Sequence, residues 1–290
     1  MNFKNGIELE ALCLETGKGI AEICVDREIE LSGRTAEQIR AEMKLNYDIM
    51  RRAVERSKTE ELHSMGGLLG GEARKLQARI EAGPTVCGHH LSRAIAAAMG
   101  VMEVNASMGL IVAAPTAGSC GILPGVLTTT AEAYDWTDDQ IVDSLLVAGA
   151  IGMIITRNAT VSGAEGGCQA ETGSAAAMAA AGIVSVLGGT PRQTLDAAAI
   201  TLKNVMGLVC DPIAGLVESP CQKRNALGAA NALLSAEIVL AGIPSIIPFD
   251  EIVDAMYKVG RRIPMELRET ALGGIAKTPT ACAICSRVYG

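Results

Sequence analysis

Three cysteines between Ser162 and Asn225 stand where chemistry could be done. They lie in Glu165-Gly-Gly-Cys168-Gln-Ala-Glu171, Met206-Gly-Leu-Val-Cys210-Asp-Pro212 and Glu218-Ser-Pro-Cys221-Gln-Lys-Arg-Asn225. Each sits where an apolar, Ala-rich run is broken by glycine, proline or charge, whereas a cysteine that only fills core belongs inside the apolar stripe. Thiols at helix ends facing one gap can ligate soft metals, the irons of an iron–sulfur cluster among them. Forty-one residues separate Cys168 from Cys210 and ten separate Cys210 from Cys221, so no compact ferredoxin spacing is present and the fold must assemble the set. Spacing alone leaves buried, unliganded thiols as the other reading. Cys282-Ala-Ile-Cys285 also has metal-like spacing, but zinc needs a second such pair that the chain does not supply nearby.

Other chemistries find little support. The chain has three histidines, His63, His89 and His90, and no His-Glu-x-x-His. Gly163-Ala-Glu-Gly-Gly167 follows no evident strand and is no nucleophile elbow. The stretch Leu62–Gly71 places four glycines in six residues, yet lacks the Lys-Ser/Thr of a phosphate loop. It reads as a tight or mobile loop near a ligand, and each histidine beside a glycine either faces the site or is structural. Pro115–Gly121 is a second loop of small residues, able to offer backbone N–H groups to an anion.

Composition narrows the rest. Of 290 residues, 49% are hydrophobic but only 2% aromatic, so the core must be built from Ala, Leu, Ile, Val and Met. Ala and Gly at this density suit closely packed helices better than twisted sheets. A net charge of −7 with no Lys/Arg-rich tract gives no nucleic-acid footprint. The apolar run Ser144–Thr156 falls short of a bilayer span, so no membrane partner is expected. Nine cysteines behind an acidic N-terminus without an apolar leader point to a reducing cytoplasm.

The elements that must hold the cysteines are helices, and an all-α, single-domain fold over 1–290 is expected. Thr35-x-x-Gln38, Thr137-x-x-Gln140 and Thr190-x-x-Gln193 are capping boxes, the last with proline at the first helical position. They predict helices to about Ser57, Thr156 and Met206. Further helices are expected over 5–31, 91–100, 123–134, 223–241 and 250–259. The run from Ala175 to Leu187 is apolar all round and predicts a buried central helix. Leu110–Ala114 is the most strand-like run, although a buried helix fits it as well. The tail from Gly273 to Cys285 reads as irregular. Cys13 and Cys24 read as small core residues, and the basic face of Arg40, Lys44, Arg51, Arg52 and Arg56 as solvated or partner-facing.

Three of these segments together resemble the iron–sulfur-dependent L-serine dehydratases: Asn105–Leu127, Ser162–Glu171 and Cys210–Asn225. The resemblance covers nearly the whole chain and is greatest to the separate α subunit of the two-subunit form. It implies a [4Fe–4S] cluster on Cys168, Cys210 and Cys221, a separate β subunit, and conversion of L-serine to pyruvate and ammonia in amino-acid degradation and gluconeogenesis. It also implies oxygen sensitivity, because three thiolates leave one iron open as a Lewis acid. Within that frame Thr116, Gly118 and Ser119 are candidates for the substrate carboxylate. Asn158 and Asn225 are candidates for hydrogen bonds to substrate or cluster. Glu165 or Glu171 could orient the amino group or pair with Arg224. The α-proton base could be His63, His89 or His90, or a residue of the β subunit. Cys282 is a candidate fourth ligand, or else an exposed thiol. A cluster-dependent hydro-lyase for another small hydroxy acid and a non-catalytic iron–sulfur sensor or scaffold remain the alternatives.

Overall fold

Three of the helix starts are built by the capping boxes. Thr35, Thr137 and Thr190 each accept a hydrogen bond from the backbone N–H three residues on, at 3.3, 3.3 and 3.2 Å. Gln38, Gln140 and Gln193 each return the favour by accepting from the threonine N–H at 2.9–3.0 Å. Two of the four donors left orphaned at each helix start are thereby satisfied.

The computed structural model describes residues 1–290. Its helices, in chain order, are α1 (Gly6–Thr16), α2 (Ile20–Ser32), α3 (Ala36–Thr59), α4 (Glu72–Glu81), α5 (His89–Ala106), α6 (Ile122–Ala133) and α7 (Asp138–Asn158). There follow α8 (Gly163–Gly166), α9 (Cys168–Val186), α10 (Pro191–Asn204), α11 (Cys221–Leu240), α12 (Phe249–Gly260) and α13 (Pro279–Tyr289). No sheet forms. One isolated parallel bridge joins Cys210 to Arg268. The architecture is all-α.

Helix α9 is the axis of the molecule, with α6, α7, α10 and α11 packed around it. Every residue from Cys168 to Val184 is buried, which over Ala175–Val184 is what a helix apolar on all faces requires. Its alanines let the neighbours come close. At Gly182 an added Cβ would stand 2.7 Å from the Ser144 carbonyl oxygen of α7. The α5–α6 crossing is equally tight, since a Cβ at Gly125 would meet the Ala98 backbone nitrogen at 2.6 Å. The main core runs through 52 buried residues from Phe3 to Met256 and takes in Cys13 and Cys24. A smaller apolar cluster of nine includes Leu62, Met102, Cys120 and Cys221.

Several expectations are corrected. The stretch 5–31 is two helices, because Gly17 turns left-handed (φ 70°) and ends α1. The helix expected over 91–100 extends over His89–Ala106, and the central helix starts at Cys168, seven residues ahead of the apolar run. Leu110–Ala114 forms neither strand nor helix, and Leu110 is largely exposed. The tail is ordered: Thr278 caps α13, proline sits in its first turn, and Tyr289 Oη donates to the Ala214 carbonyl at 2.9 Å. Helix α4 carries no cap of its own and was not expected. Glu103 of α5 caps it instead, accepting from Ala73 N at 2.9 Å. On α3, Arg40 and Lys44 are tied to Asp143 and Asp138 at the start of α7. Helix α7 has the length and composition of a membrane span, and 67% of that window is buried against the rest of the protein.

Close approach at Gly125 has a measurable consequence. Gly125→Ala should lower stability by about 1–3 kcal/mol, because the atoms in the way are backbone and α5 must shift. Gly149→Ala on α7, where nothing lies within 4 Å of the new Cβ, should leave stability unchanged or raise it by up to about 1 kcal/mol. Urea unfolding followed by circular dichroism separates the two. Equal losses would mean that the α5–α6 crossing is looser than described.

Candidate metal centre

Cys168 and Cys221 are the first residues of α9 and α11, and Cys210 lies in the extended segment after α10. All three are free thiols and buried. A helix N-terminus favours a thiolate, through its unpaired N–H groups and the positive end of its dipole.

Local chemistry fixes each position. Gly167, with φ 76° and ψ 178°, turns the chain into α9 and packs so closely on Leu208 that a Cβ would stand 2.7 Å from its carbonyl oxygen. Gln169, wholly buried, accepts from Gly207 N at 2.8 Å and donates to the Met256 carbonyl at 2.9 Å. Cys210 donates its N–H to the Leu267 carbonyl at 2.8 Å, and its own carbonyl accepts from Glu269 N at 2.6 Å. Asn225 binds Cys221 to the Pro115–Gly121 loop. Its Nδ2 donates to the Cys221 and Gly118 carbonyls at 2.9 and 2.8 Å, while its Oδ1 accepts from Gly121 N at 3.0 Å.

Arg224, one turn into α11, links all of these. Its Nη1 donates to Cys168 Sγ at 3.3 Å and to the Val209 carbonyl at 2.9 Å. Its Nη2 donates to Asp211 Oδ1 at 2.7 Å. Asp211 in turn accepts from Ile275 N at 2.7 Å, which draws in the segment ahead of α13. The pair is buried, with side-chain exposures of 11% and 3%, so water cannot replace either partner.

Thiol and carboxyl groups crowd the same place. The sulfurs of Cys168 and Cys210 and a carboxylate oxygen of Glu171 all lie within 4.8 Å of one another. A side chain at Gly163 would meet Cys210 Sγ, Glu269 Oε2 and Glu171 Oε2 at 3.0, 3.2 and 3.4 Å. Thr116 Oγ1 donates to Glu171 at 2.5 Å and lies 3.0 Å from Ser119 Oγ. A hydrogen bond from Cys210 lowers the Cys168 thiol, with help from Arg224 and against burial. The same bond, then burial, pushes Cys210 up. Burial pushes Cys221 up to about 12, and the neighbouring Cys168 and Glu171 charges add to it. Burial also raises Glu171, in opposition to the Thr116 hydrogen bond. Two thiols and the Glu171 carboxyl thus converge beside the Arg224–Asp211 pair, with Glu269 and the Cys221 thiol close enough for their charges to be felt. A soft cationic group is what this donor set fits.

The sequence candidates divide by place. Thr116, Gly118, Ser119 and Asn225 come together with the three cysteines. A Cβ at Gly118 would stand 2.5 Å from Glu171 Oε1, so this loop backbone lies flat on the carboxylate. Glu165 is exposed on α8, and Arg224 pairs with neither Glu165 nor Glu171. Asn158 ends α7 and donates to the Lys4 and Ile154 carbonyls. His89 and His90 line a pocket with Ile183 and Leu187, at the other end of α9. At 1.5 Å per residue that is about 22 Å from Cys168. His63 is 76% exposed beside Glu61. Its loop, however, is docked near Cys221: Ser64 Oγ and the N–H groups of Gly66 and Leu68 all donate to buried Glu218. Cys282 is exposed on α13. Glu269 and Asp211 were not foreseen, and only Asp211's adjacency to Cys210 could have signalled either.

Breaking the Arg224–Asp211 pair leaves a buried charge alone. Arg224→Met and Asp211→Asn should each cost about 3–5 kcal/mol in urea unfolding, and the double variant should cost less than the two together. Fully additive losses would show that the pair is not coupled.

Comparison with known proteins bears on this centre. The serine dehydratase alpha chain family profile matches residues 15–276. A probable L-serine dehydratase alpha chain of Bacillus subtilis is 48% identical over 288 residues, 99% of this chain and 96% of that one. The L-serine dehydratase alpha chain of Peptoniphilus asaccharolyticus is 46% identical over 273 residues, 94% of each chain. An L-serine dehydratase of Streptomyces coelicolor is 38% identical over 287 residues, which make up 97% of this chain but 62% of that longer one. With the all-α fold and the assembled thiols, these matches show that the chain belongs to the serine dehydratase alpha chain family.

Proposed function

We propose that this chain, together with a β chain, deaminates L-serine to pyruvate and ammonia by β-elimination of water, and that Cys168, Cys210 and Cys221 hold a [4Fe–4S] cluster. The observation that carries the reading is the buried group of Cys168, Cys210 and Glu171, with the buried Cys221 thiol opening the neighbouring helix α11, in a chain whose relatives are named for this activity. When bound, the cluster supplies an iron without a protein thiolate, a Lewis acid for a poor leaving group. Cys282 has no part in this reading. Nine free thiols, and a span-like α7 buried within the protein, support a cytoplasmic setting.

The chain's own residues bind and orient. Glu171 and Glu269, on either side of Gly163, take the substrate ammonium. Ser119 offers its hydroxyl to the carboxylate from a loop that Asn225 holds in register with Cys221, and Thr116 holds Glu171 in place by donating to it. Asn225 is a positioning residue, since its amide is committed to the backbone at Gly118, Gly121 and Cys221. Loss of water from serine gives aminoacrylate, whose imine tautomer takes the water back as it hydrolyses to pyruvate and ammonium.

The proton acceptor is assigned to the β chain. His89 and His90 lie at the far end of α9, and His63 points out beside Glu61. The Bacillus and Peptoniphilus relatives are named alpha chains, which supports a second polypeptide completing the site.

Anaerobic preparation with and without the β chain, with iron, sulfide and pyruvate release assayed, tests the reading. The chain alone should hold iron and sulfide but form no pyruvate from L-serine, and the β chain should restore turnover. Cys168→Ala, Cys210→Ala and Cys221→Ala should each abolish both the bound iron and turnover, while His89→Asn and His90→Asn should retain both. Full iron and turnover in any one of the cysteine variants would refute the ligand set. A stable cluster with no pyruvate in the complex would make the protein a sensor.

A further inference from the structure

The most strand-like run of the chain, Leu110–Ala114, forms no strand, and its backbone is unclaimed. Neither the N–H nor the C=O of any of these residues has a hydrogen-bond partner within the chain. Hydrogen bonds stop at Gly109 N, which donates to the Val104 carbonyl at 2.8 Å, and resume at Thr116 Oγ1, which donates to Glu171. Side chains hold the segment instead. Ile111 packs on the smaller apolar cluster, and Val112 and Ala114 on the main core. Every such residue carries an obligatory donor and acceptor. A run of Leu, Ile and Val fixed by its side chains, with its backbone free, is a template for a further strand.

The surroundings are those of an interface. Met65, Met108 and Leu110 are largely exposed. Met65 N donates to the Ala106 carbonyl at 2.9 Å, which brings the glycine-rich loop alongside the end of α5. Arg56, paired with Glu60, borders the patch at Gly109. An apolar middle with a charged edge is the usual anatomy of a protein–protein contact.

We propose that the β chain docks here by adding one of its own strands along Leu110–Ala114. The proposal rests on the reading that a β chain completes the site. The segment runs straight into Pro115–Gly121, and Thr116 stands two residues past Ala114, about 7 Å of chain at most. A strand paired along it ends beside Glu171, where the proton acceptor assigned to the β chain has to arrive. Main-chain hydrogen bonds supply the affinity, and contact with Met65, Met108 and Leu110 adds to it. A second copy of this chain would bring its own net charge of −7 to the contact and no new acceptor to the centre.

Residue-resolved hydrogen–deuterium exchange of the anaerobic full chain, alone and with the β chain, tests this, with pyruvate release followed in parallel. In the chain alone the amides of Leu110–Ala114 should exchange at the rate of unpaired backbone. In the complex every second one should slow by about a hundredfold or more, because a strand turns alternate N–H groups to one neighbour. Leu110→Pro and Ala113→Pro alter exposed residues and remove N–H groups of opposite alternation. One of the two should weaken β-chain binding about tenfold, as the loss of one hydrogen bond implies, while the thermal midpoint of the free chain is unchanged in both. Pyruvate release by a complex whose 110–114 amides exchange as in the free chain would overturn the proposal and leave the serine reading standing. Uniform slowing without alternation, or binding untouched by both variants, would overturn it as well. Slowing in the chain alone that grows with concentration would make a second copy the occupant and overturn it too. A β chain that does not bind at all would remove both the reading and the proposal.

Discussion

Arg224 gives its guanidinium at once to a sulfur, a backbone carbonyl and a carboxylate, and the centre depends on that division. Cys168 belongs to α9, Val209 and Asp211 flank Cys210, and Arg224 itself lies one turn beyond Cys221 on α11. A planar fork with fixed donor directions can hold three such partners in register, and a lysine ammonium in its place could not. The cost of burying this charge is met by Asp211, which is why the pair is nearly without solvent exposure. Arg224 gives one N–H to Cys168 and its charge to Asp211, and among the salt bridges of the chain none reaches Glu171 or Glu269. The centre is built to receive a cation.

The all-helical frame serves this arrangement. Two cysteines placed at helix starts gain the unpaired N–H groups and dipole ends of α9 and α11. Both helices can begin at one place because α9 and α11 pack directly against each other, and alanine along α9 permits the close approach. The third cysteine comes from a connection that no helix carries, so its backbone is paired with Leu267 and Glu269 instead. Further loops close over the same region. Glu218 gathers the glycine-rich turn at Ser64–Leu68, and Asn225 gathers Pro115–Gly121. Buried side chains spent on the backbone amides of loops make those loops part of the centre rather than covers over it.

How much of this could be read from the sequence follows from how local each signal is. Capping boxes are written within four residues, and all three gave true helix starts. The cysteines were legible because their flanks contradict an ordinary core position. The start of α9 was not, because Gln169, Glu171 and Thr172 look like surface residues and are in fact buried for the centre. Helix α4 lacked a signal because its cap, Glu103, is thirty residues away on another helix. Glu269 comes to Gly163 across 105 intervening residues, through a short parallel pairing that no pattern announces. The same holds for the histidines. Glycine neighbours made His89 and His90 resemble site residues, and the length of α9 places them at its far end.

The central claim is that Cys168, Cys210 and Cys221 together hold a four-iron cluster and leave one iron for the substrate. Mössbauer spectroscopy of the anaerobic complex, isotopically enriched in iron and measured before and after L-serine is added, tests it most directly. The account predicts a cluster spectrum in which one iron of the four changes its parameters with L-serine while the other three stay as they were. Four irons unaffected by saturating L-serine, or no cluster spectrum in a complex that releases pyruvate, would contradict it.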